Sequence, residues 1–509
     1  MRDKQLQILV GCLMAILIGS VRAESPGHNL SNEIDTFKSR LAELESAENR
    51  NWLNERRSEE IKSLIHDVLS DADTRANLLA EGATAGHNGK AFYLSSDDGS
   101  FLLKVNGQIQ LRYMYRSHND SVDATGSIIP PGTGTDGQGL RVTPAIGDEN
   151  DAGFVIRRAK VKFSGHIANP RLNYMVQLTT NHASNNVSSD KIVISYELAD
   201  GLTVWAGQNK APFLREEMTS SSKQLAVERS YVNEVFTLDT TQGIGLIWEA
   251  NEGLKVHVML NDGTNSGNGG SGTNRFTQAF GAQGVAGAGG ALAAGACVAG
   301  DCTQATTLDF DADRTDFAIT ARADVKLAGQ WSQMTDFTAC EGEEDALFLG
   351  AAIHYEVGET GDAGLNHDFV TWTVDGSYEG NGLNVYAAVI GMHPNLDDED
   401  DAFAEDYDLY GLIVQAGHVI PNSGWEPFVR WEYLDLDDAV NDGSNTYDDL
   451  NLLTVGVNRY FNQHAAKFTL DVVFALDAVP ITSGGLGIRA DNPNIDDQTV
   501  VRAQYQLTF

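Results

Sequence analysis

From residue 101 onward the chain alternates apolar and polar residues with a period of two, and it does so in sixteen separate stretches. Successive side chains of a strand point to opposite faces, so each stretch predicts a strand with one apolar and one polar side. In the first stretch Phe101, Leu103, Val105, Ile109, Leu111, Tyr113 and Tyr115 share a face, opposite Lys104, Asn106, Gln108, Gln110 and Arg112. Near the C-terminus Ala466, Phe468, Leu470, Val472, Phe474 and Leu476 alternate with Lys467, Thr469, Asp471, Val473, Ala475 and Asp477. The stretches fall at residues 101–116, 153–167, 171–181, 190–198, 201–208, 242–250, 253–261, 313–327, 344–357, 366–379, 382–393, 406–419, 424–436, 449–461, 464–477 and 498–509. Most reach the roughly 9–11 residues that a tilted strand needs to cross a bilayer.

The connections decide between a soluble sandwich and a membrane barrel. Short ones such as Ala168-Asn169-Pro170, Ala199-Asp200-Gly201, Asn251-Glu252, Gly380-Asn381 and Pro421-Asn422-Ser423-Gly424 alternate with long ones at 117–152, 209–241, 262–312, 394–405, 437–448 and 478–497. A sandwich has no reason to alternate loop length in this way. An outer-membrane barrel has one, because tight turns face the periplasm and long loops face outward. The expected fold is therefore all-β, a sixteen-stranded antiparallel transmembrane β-barrel over residues 101–509. The connection at 328–343 breaks the rule: its position calls for a short turn. Tyr113, Tyr115, Tyr460, Phe461, Tyr505 and Phe509 lie near strand ends, where interfacial aromatic girdles sit. Phe509 closes an alternating strand, as the terminal residue of many bacterial barrels does.

The segment before the barrel is different in kind. Residues 1–23 read as a secretory signal: Arg2 and Lys4, an apolar run from Leu6 to Gly19, then Val21-Arg22-Ala23 as cleavage site. Leu9-Val10-Gly11-Cys12 matches a lipoprotein box, but too few apolar residues precede the cysteine for that use. Across 28–80, Leu30, Ile34, Phe37, Leu41 and Leu44 step by four and three, and Ile61, Leu64, Ile65, Val68 and Leu69 form a second stripe. That rhythm predicts a short α-helical coiled coil, or an amphipathic helical hairpin, joined to the barrel by a linker at 81–100. Beyond the leader no apolar run reaches the ~18 residues of a transmembrane helix.

A net charge of −36 argues against nucleic acid as a partner. The 12 histidines form no zinc-spaced pair, no nucleophile or phosphate-cradling motif occurs, and the Gly/Ala tract at 281–300 is low-complexity loop. Neither catalysis nor a metal or other cofactor is expected. Cys297 and Cys302 share one loop and are expected to pair, leaving Cys340 apart. Asp397 to Asp401 and the acids from Asp435 to Asp449 read as a solvated outer rim.

Residues 154–165, Phe-Val-Ile-Arg-Arg-Ala-Lys-Val-Lys-Phe-Ser-Gly, resemble the second strand of the phosphate-selective porin O and P family. Gly207-Gln208-Asn209-Lys210-Ala211-Pro212-Phe213-Leu214-Arg215-Glu216-Glu217, continuing through Thr219-Ser220 to Glu228-Arg229-Ser230, is similar to the beginning of that family's constriction loop. Gly350-Ala351-Ala352-Ile353-His354-Tyr355 is a weaker match. The resemblance implies an outer-membrane homotrimer of sixteen-stranded barrels with an inward-folded third loop, passing small anions or general hydrophilic solutes. The polar faces of the first two strands offer Arg112, Arg158, Lys160 and Lys162 as pore-lining, anion-guiding cations. The loop candidate carries Lys210, Arg215, Lys223 and Arg229 against Glu216, Glu217, Glu228, Glu234 and Asp239, a balance that weakens the case for a dedicated phosphate filter. An alternative reading is an envelope anchor, whose barrel holds the coiled coil for a periplasmic or cell-wall partner. A barrel hydrolase would need a Ser/His/acid cluster on one strand face, and the sequence offers none.

Overall fold

The computed structural model describes residues 83–89, 91–118, 134–135, 141–142, 149–181, 186–263, 315–360, 365–366, 368–395, 408–435, 449–480, 483–489 and 498–509. The leader, the predicted coiled coil, Cys297 with Cys302, and the Asp397–Asp401 acidic run lie outside the described residues. The barrel strands are β1 (Phe101–His118), β2 (Glu149–Ile167), β3 (Leu172–Asn181), β4 (Asn186–Ala199), β5 (Leu202–Lys210), β6 (Thr240–Asn251), β7 (Leu254–Asn261) and β8 (Thr315–Ala328). They continue as β9 (Ala346–Thr360), β10 (Asp368–Gly380), β11 (Leu383–Asn395), β12 (Leu409–His418), β13 (Trp425–Asp435), β14 (Asp449–Asn462), β15 (Ala466–Ala475) and β16 (Gln498–Thr508). Each pairs antiparallel with its sequence neighbour, and β16 pairs with β1 from Thr499↔Ser117 to Thr508↔Gln108, closing the ring. The sixteen predicted strands all appear at their predicted places.

The apolar faces point outward. Ile109, Leu111, Ile156, Ile194, Ile244, Leu349, Ile353 and Val374 are exposed, while Gln110, Arg112, Arg322, Asp375, Arg430 and Arg502 on the other face are buried. A soluble protein would invert this. An exposed apolar band around a closed sheet with polar residues inside is the arrangement a bilayer selects, since neighbouring strands pair their backbone groups all the way round the ring.

At the seam the chain end is fixed to β1. Gly107 N–H donates to Phe509 O at 2.7 Å, and Phe509 N–H donates to Gly107 O at 3.0 Å. The Phe509 ring lies over Gly107, where a Cβ would come within 2.3 Å of it, so a larger residue there would displace the terminal aromatic. Just before β1, where a linker was expected, Ala83–His87 and Phe92–Ser96 form a hairpin whose second strand pairs with Leu102–Val105. Polar turn chemistry had suggested a simple spacer. The alternation Phe92, Leu94 against Tyr93, Ser95 was too short to register as a strand.

One strand departs from simple alternation. Between Gln110↔Arg158 and Leu111↔Ile156 the β1–β2 register slips by one residue, leaving Arg157 as a bulge. Such a bulge turns two successive side chains to one side and reverses the phase beyond it. Arg157 therefore faces inward together with Arg158, and Phe154, 87% exposed, points outward. Val155, which unbroken alternation from Arg158 would turn to the lipid side, instead pairs with inward-facing Arg112. Alternation alone could not have shown this.

Candidate functional site: an inward loop on a basic wall

The loop following β5 does not stay outside the barrel. Residues 211–239 fold inward with two short helices, α1 (Arg215–Met218) and α2 (Tyr231–Phe236). Ser230 caps α2, its hydroxyl accepting from Asn233 N–H at 2.8 Å. Phe213, Leu214, Val232, Val235 and Phe236 bury against the inward apolar residues Ile390, Met392, Leu409 and Ile413 of β11 and β12. Gly411 leaves the space that α2 needs, since a Cβ there would lie 2.6 Å from Val232 and 2.7 Å from Phe236.

Donors on the barrel wall hold the loop backbone along its length. Gln110 Nε2 donates to Ser221 O (3.0 Å), Gln506 Nε2 to Ser222 O (2.9 Å), Lys467 Nζ to Gln224 O (2.6 Å), Asn458 Nδ2 to Leu225 O (2.9 Å) and Arg430 Nη1 to Glu228 O (2.9 Å). On the opposite side Arg322 Nη1 donates to Phe213 O (2.8 Å). A buried carbonyl left without a donor would cost on the order of 1–3 kcal/mol, so this seam fixes the loop position.

Glu228 is the electrostatic centre. Its carboxylate accepts from Arg112 Nη2 (3.0 Å), Arg157 Nε (2.8 Å) and Arg158 Nη2 (2.6 Å). Burial alone would raise its pKa, but Arg157, Arg158 and Arg112 together hold it well below the usual carboxylate range. Arg112 and Arg158 are buried, whereas the Arg157 side chain is 27% exposed to the interior. Glu217 accepts from Asn233 Nδ2 (2.9 Å) and pairs with Lys210 and with Arg229 Nε (3.2 Å). Burial opposes its ionisation, yet Arg229 and Lys210 bring its pKa to about 2. Glu216 accepts from Ser230 N–H (2.8 Å) and the Ser230 hydroxyl (2.5 Å), with Arg430 at 3.5 Å; there burial prevails and its pKa is raised.

The candidate residues thus separate into two sets. Arg112 and Arg158 are committed to Glu228, and Glu216, Glu217 and Arg229 lock the loop to itself. Arg215 is buried among the rings of Phe337, Phe348 and Tyr386, at 5.5–5.6 Å from their centroids. Lys223, at the loop tip, reaches Thr335 Oγ1 (2.8 Å) and Asp336 (3.3 Å). Three of the five loop acids, Glu216, Glu217 and Glu228, are buried on partners, which lightens the charge balance that had weighed against anions, while Glu234 is half-buried and Asp239 exposed. The second set is Lys160 and Lys162, half-buried on the inward face of β2. Lys160 pairs with Asp190, a bulge residue of β4, and Lys162 has no ion pair among the described residues.

Among the cations that sequence reasoning missed are Arg157 and Lys191. Arg157 had no signal, because a bulge is not written in the alternation. Lys191 had one: it opens a polar face of Lys191, Val193, Ser195 and Glu197 against Ile192, Ile194, Tyr196 and Leu198. In the sheet, Asn106, Lys162, Gln177 and Lys191 stand side by side across β1 to β4. With Lys104 one step away, they make a basic wall whose described acids are Asp190 and Glu197.

Residues 133–509 match the sequence model of the family described as phosphate-selective porin O and P. An uncharacterised Aquifex aeolicus protein is 25% identical over 327 residues, which cover 62% of this chain and 66% of that protein, just under two thirds of its length. Among solved structures, the anion-selective porin from Comamonas acidovorans superposes with a TM-score of 0.50 at 10% identity, covering 80% of this chain and 100% of that one. That likeness shows the shared barrel fold. The outer membrane channel DcaP of Acinetobacter baumannii gives a TM-score of 0.47 at 9% identity, over 81% of this chain and 99% of its own. With the family match spanning most of the strands and the ring closed as an outer-membrane barrel, the chain belongs to the phosphate-selective porin O and P family.

Proposed function

We propose that this protein is a passive diffusion channel of the outer membrane that favours small anions, reached by export through the leader at 1–23 and assembled as a homotrimer. The observation that carries the anion preference is the half-buried basic wall, on which Lys104, Lys162 and Lys191 have no carboxylate partner within salt-bridge distance among the described residues. Cations in a confined passage of reduced dielectric lower the energy of an entering anion by about 1 kcal/mol each. Of the loop 3 acids, Glu216, Glu217 and Glu228 do not oppose this, because each is spent on buried partners. The family's name gives phosphate as the solute to try first. A general anion preference without a phosphate site is the reading the residues support, since the clustered arginines are occupied by Glu228.

The test is reversal potential across a tenfold salt gradient in planar bilayers. Lys104→Gln with Lys162→Gln is expected to lower the anion-to-cation permeability ratio several-fold while heat-modifiable barrel persists in gels. Unchanged selectivity in that variant would overturn the proposal. Chloride current that added phosphate fails to block supports the general-anion reading, and block at low phosphate concentration refutes it. The reading as an envelope anchor predicts no current at all.

A further inference from the structure

The connection that broke the loop-length rule, residues 329–345, enters the barrel. It leaves β8 at Gly329, whose φ of +82° turns the chain back, and passes through a 3-10 turn at Gln333–Thr335. Trp331 lies under Lys255 Nζ (4.8 Å) and Lys326 Nζ (5.6 Å). Phe337, fully buried, packs on Tyr386 of β11 at 4.8 Å and takes the Arg215 guanidinium over its ring at 5.5 Å. Thr338 Oγ1 sits 2.9 Å from the Tyr460 hydroxyl, and Asp336 pairs with Lys223 at the tip of loop 3. A segment from the periplasmic end and a loop from the outer end therefore meet inside the ring, joined by an ion pair and an arginine held among aromatic rings.

A second, independent observation is how the two sides of the interior differ. From β8 to β16 the inward side chains are buried almost without exception: Thr320, Glu356, Asn384, Gln415, Thr454 and Gln504 are each no more than 3% exposed. From β2 to β4, where Arg158 and Val193 are buried, Lys160, Lys162, Gln177 and Lys191 are only half-buried. A wall residue that water cannot touch cannot line an aqueous passage.

Building on the channel reading above, we propose that residues 329–345 and loop 3 together form a two-sided plug against the β8–β16 wall, and that solute passes on the other side, along the half-buried face of β2–β4. Selectivity is then set by the lysines of that wall, and the periplasmic segment, not loop 3 alone, decides how wide the passage is at its inner end.

Cysteine accessibility in the full chain tests this. In a background with Cys297, Cys302 and Cys340 each changed to Ser, single variants Lys162→Cys, Lys191→Cys, Gln415→Cys and Asn384→Cys are exposed to a charged methanethiosulfonate in the bilayer. Current through Lys162→Cys and Lys191→Cys is expected to fall at least a hundredfold faster than through the other two. Adding Asp336→Asn and Phe337→Ala should raise conductance and make Asn384→Cys reactive. Similar rates on both walls would overturn the placement of the passage. Unchanged conductance with Asn384→Cys still protected would overturn the plug. Absence of current in every variant would instead sink the channel reading, and this placement with it.

Discussion

Replacing Glu228 by Gln removes one negative charge from among three arginines and keeps a side chain of the same shape. At about 4 Å between charge centres and an effective dielectric of about 20, each Arg–Glu attraction is worth roughly 4 kcal/mol before desolvation. The three arginines repel one another, so the neutral variant leaves Arg112, Arg157 and Arg158 facing each other without compensation. Breaking a buried charge pair by removing one partner costs about 3–5 kcal/mol, and the larger end suits a carboxylate with three ligands. The loss falls on the docking of loop 3, because Glu228 belongs to the loop while its partners belong to β1 and β2. Two effects are expected together. The barrel with its loop should unfold at lower temperature, and the excess positive charge should shift reversal potential toward anions by about fivefold in permeability ratio, the equivalent of ~1 kcal/mol. Adding Arg157→Gln should restore part of both, since it lowers the repulsion and removes the cation most open to the interior. If Glu228→Gln melts like wild type and has wild-type selectivity, the three-arginine hub does not hold the loop and the reasoning fails.

Three further outcomes follow from other parts of the structure. Gly411→Leu should push α2 off the β12 wall and raise conductance noise, while Gly153→Leu, where a Cβ meets nothing, should not. Glu217, with its folded pKa lowered to about 2, stabilises the loop fully above its ordinary value near 4.5, and that contribution fades as pH falls toward 2. Melting between pH 6 and 3 should therefore show an acid-dependent loss of about 2 kcal/mol that Glu217→Gln flattens, and equal pH slopes in both proteins would refute it. Deleting residues 28–80 should leave heat-modifiable barrel intact, since their helical period is foreign to the sheet; loss of barrel in gels would falsify the two-module reading.

The barrel was legible in the sequence because a bilayer demands strict alternation on every strand, and because turn length alternates with it. Strand ends agreed within a few residues even where bulges intervene. The interior was less legible for a physical reason. Lumen-facing residues need only be polar, so Arg112, Lys160 and Arg322 look alike in sequence while one holds a loop carboxylate, one a neighbouring aspartate and one a loop carbonyl. Loop 3 carries as many acids as a cation filter would, and only the fold shows Glu216, Glu217 and Glu228 buried on partners. The odd connection after β8 was visible as an irregularity, yet its apolar Trp331 and Phe337 gave no hint that they would climb into the ring.

The small hairpin ahead of β1 bears on how the ring closes. β2 covers β1 along its whole length, so the hairpin strand must share the other edge with β16, and it occupies Leu102–Val105 just where β16 ends at Gln108. The hairpin is local in sequence and can form early, whereas the β1–β16 seam joins the two ends of the barrel and pays the largest loop-closure cost. By the time the last strand arrives, the edge available to it is already shortened. A slide of two residues, which would keep every side chain on its proper face and so escape the usual penalty for misregister, runs into Phe92. The hairpin thus serves as a mechanical stop, giving an otherwise degenerate closure a single end point.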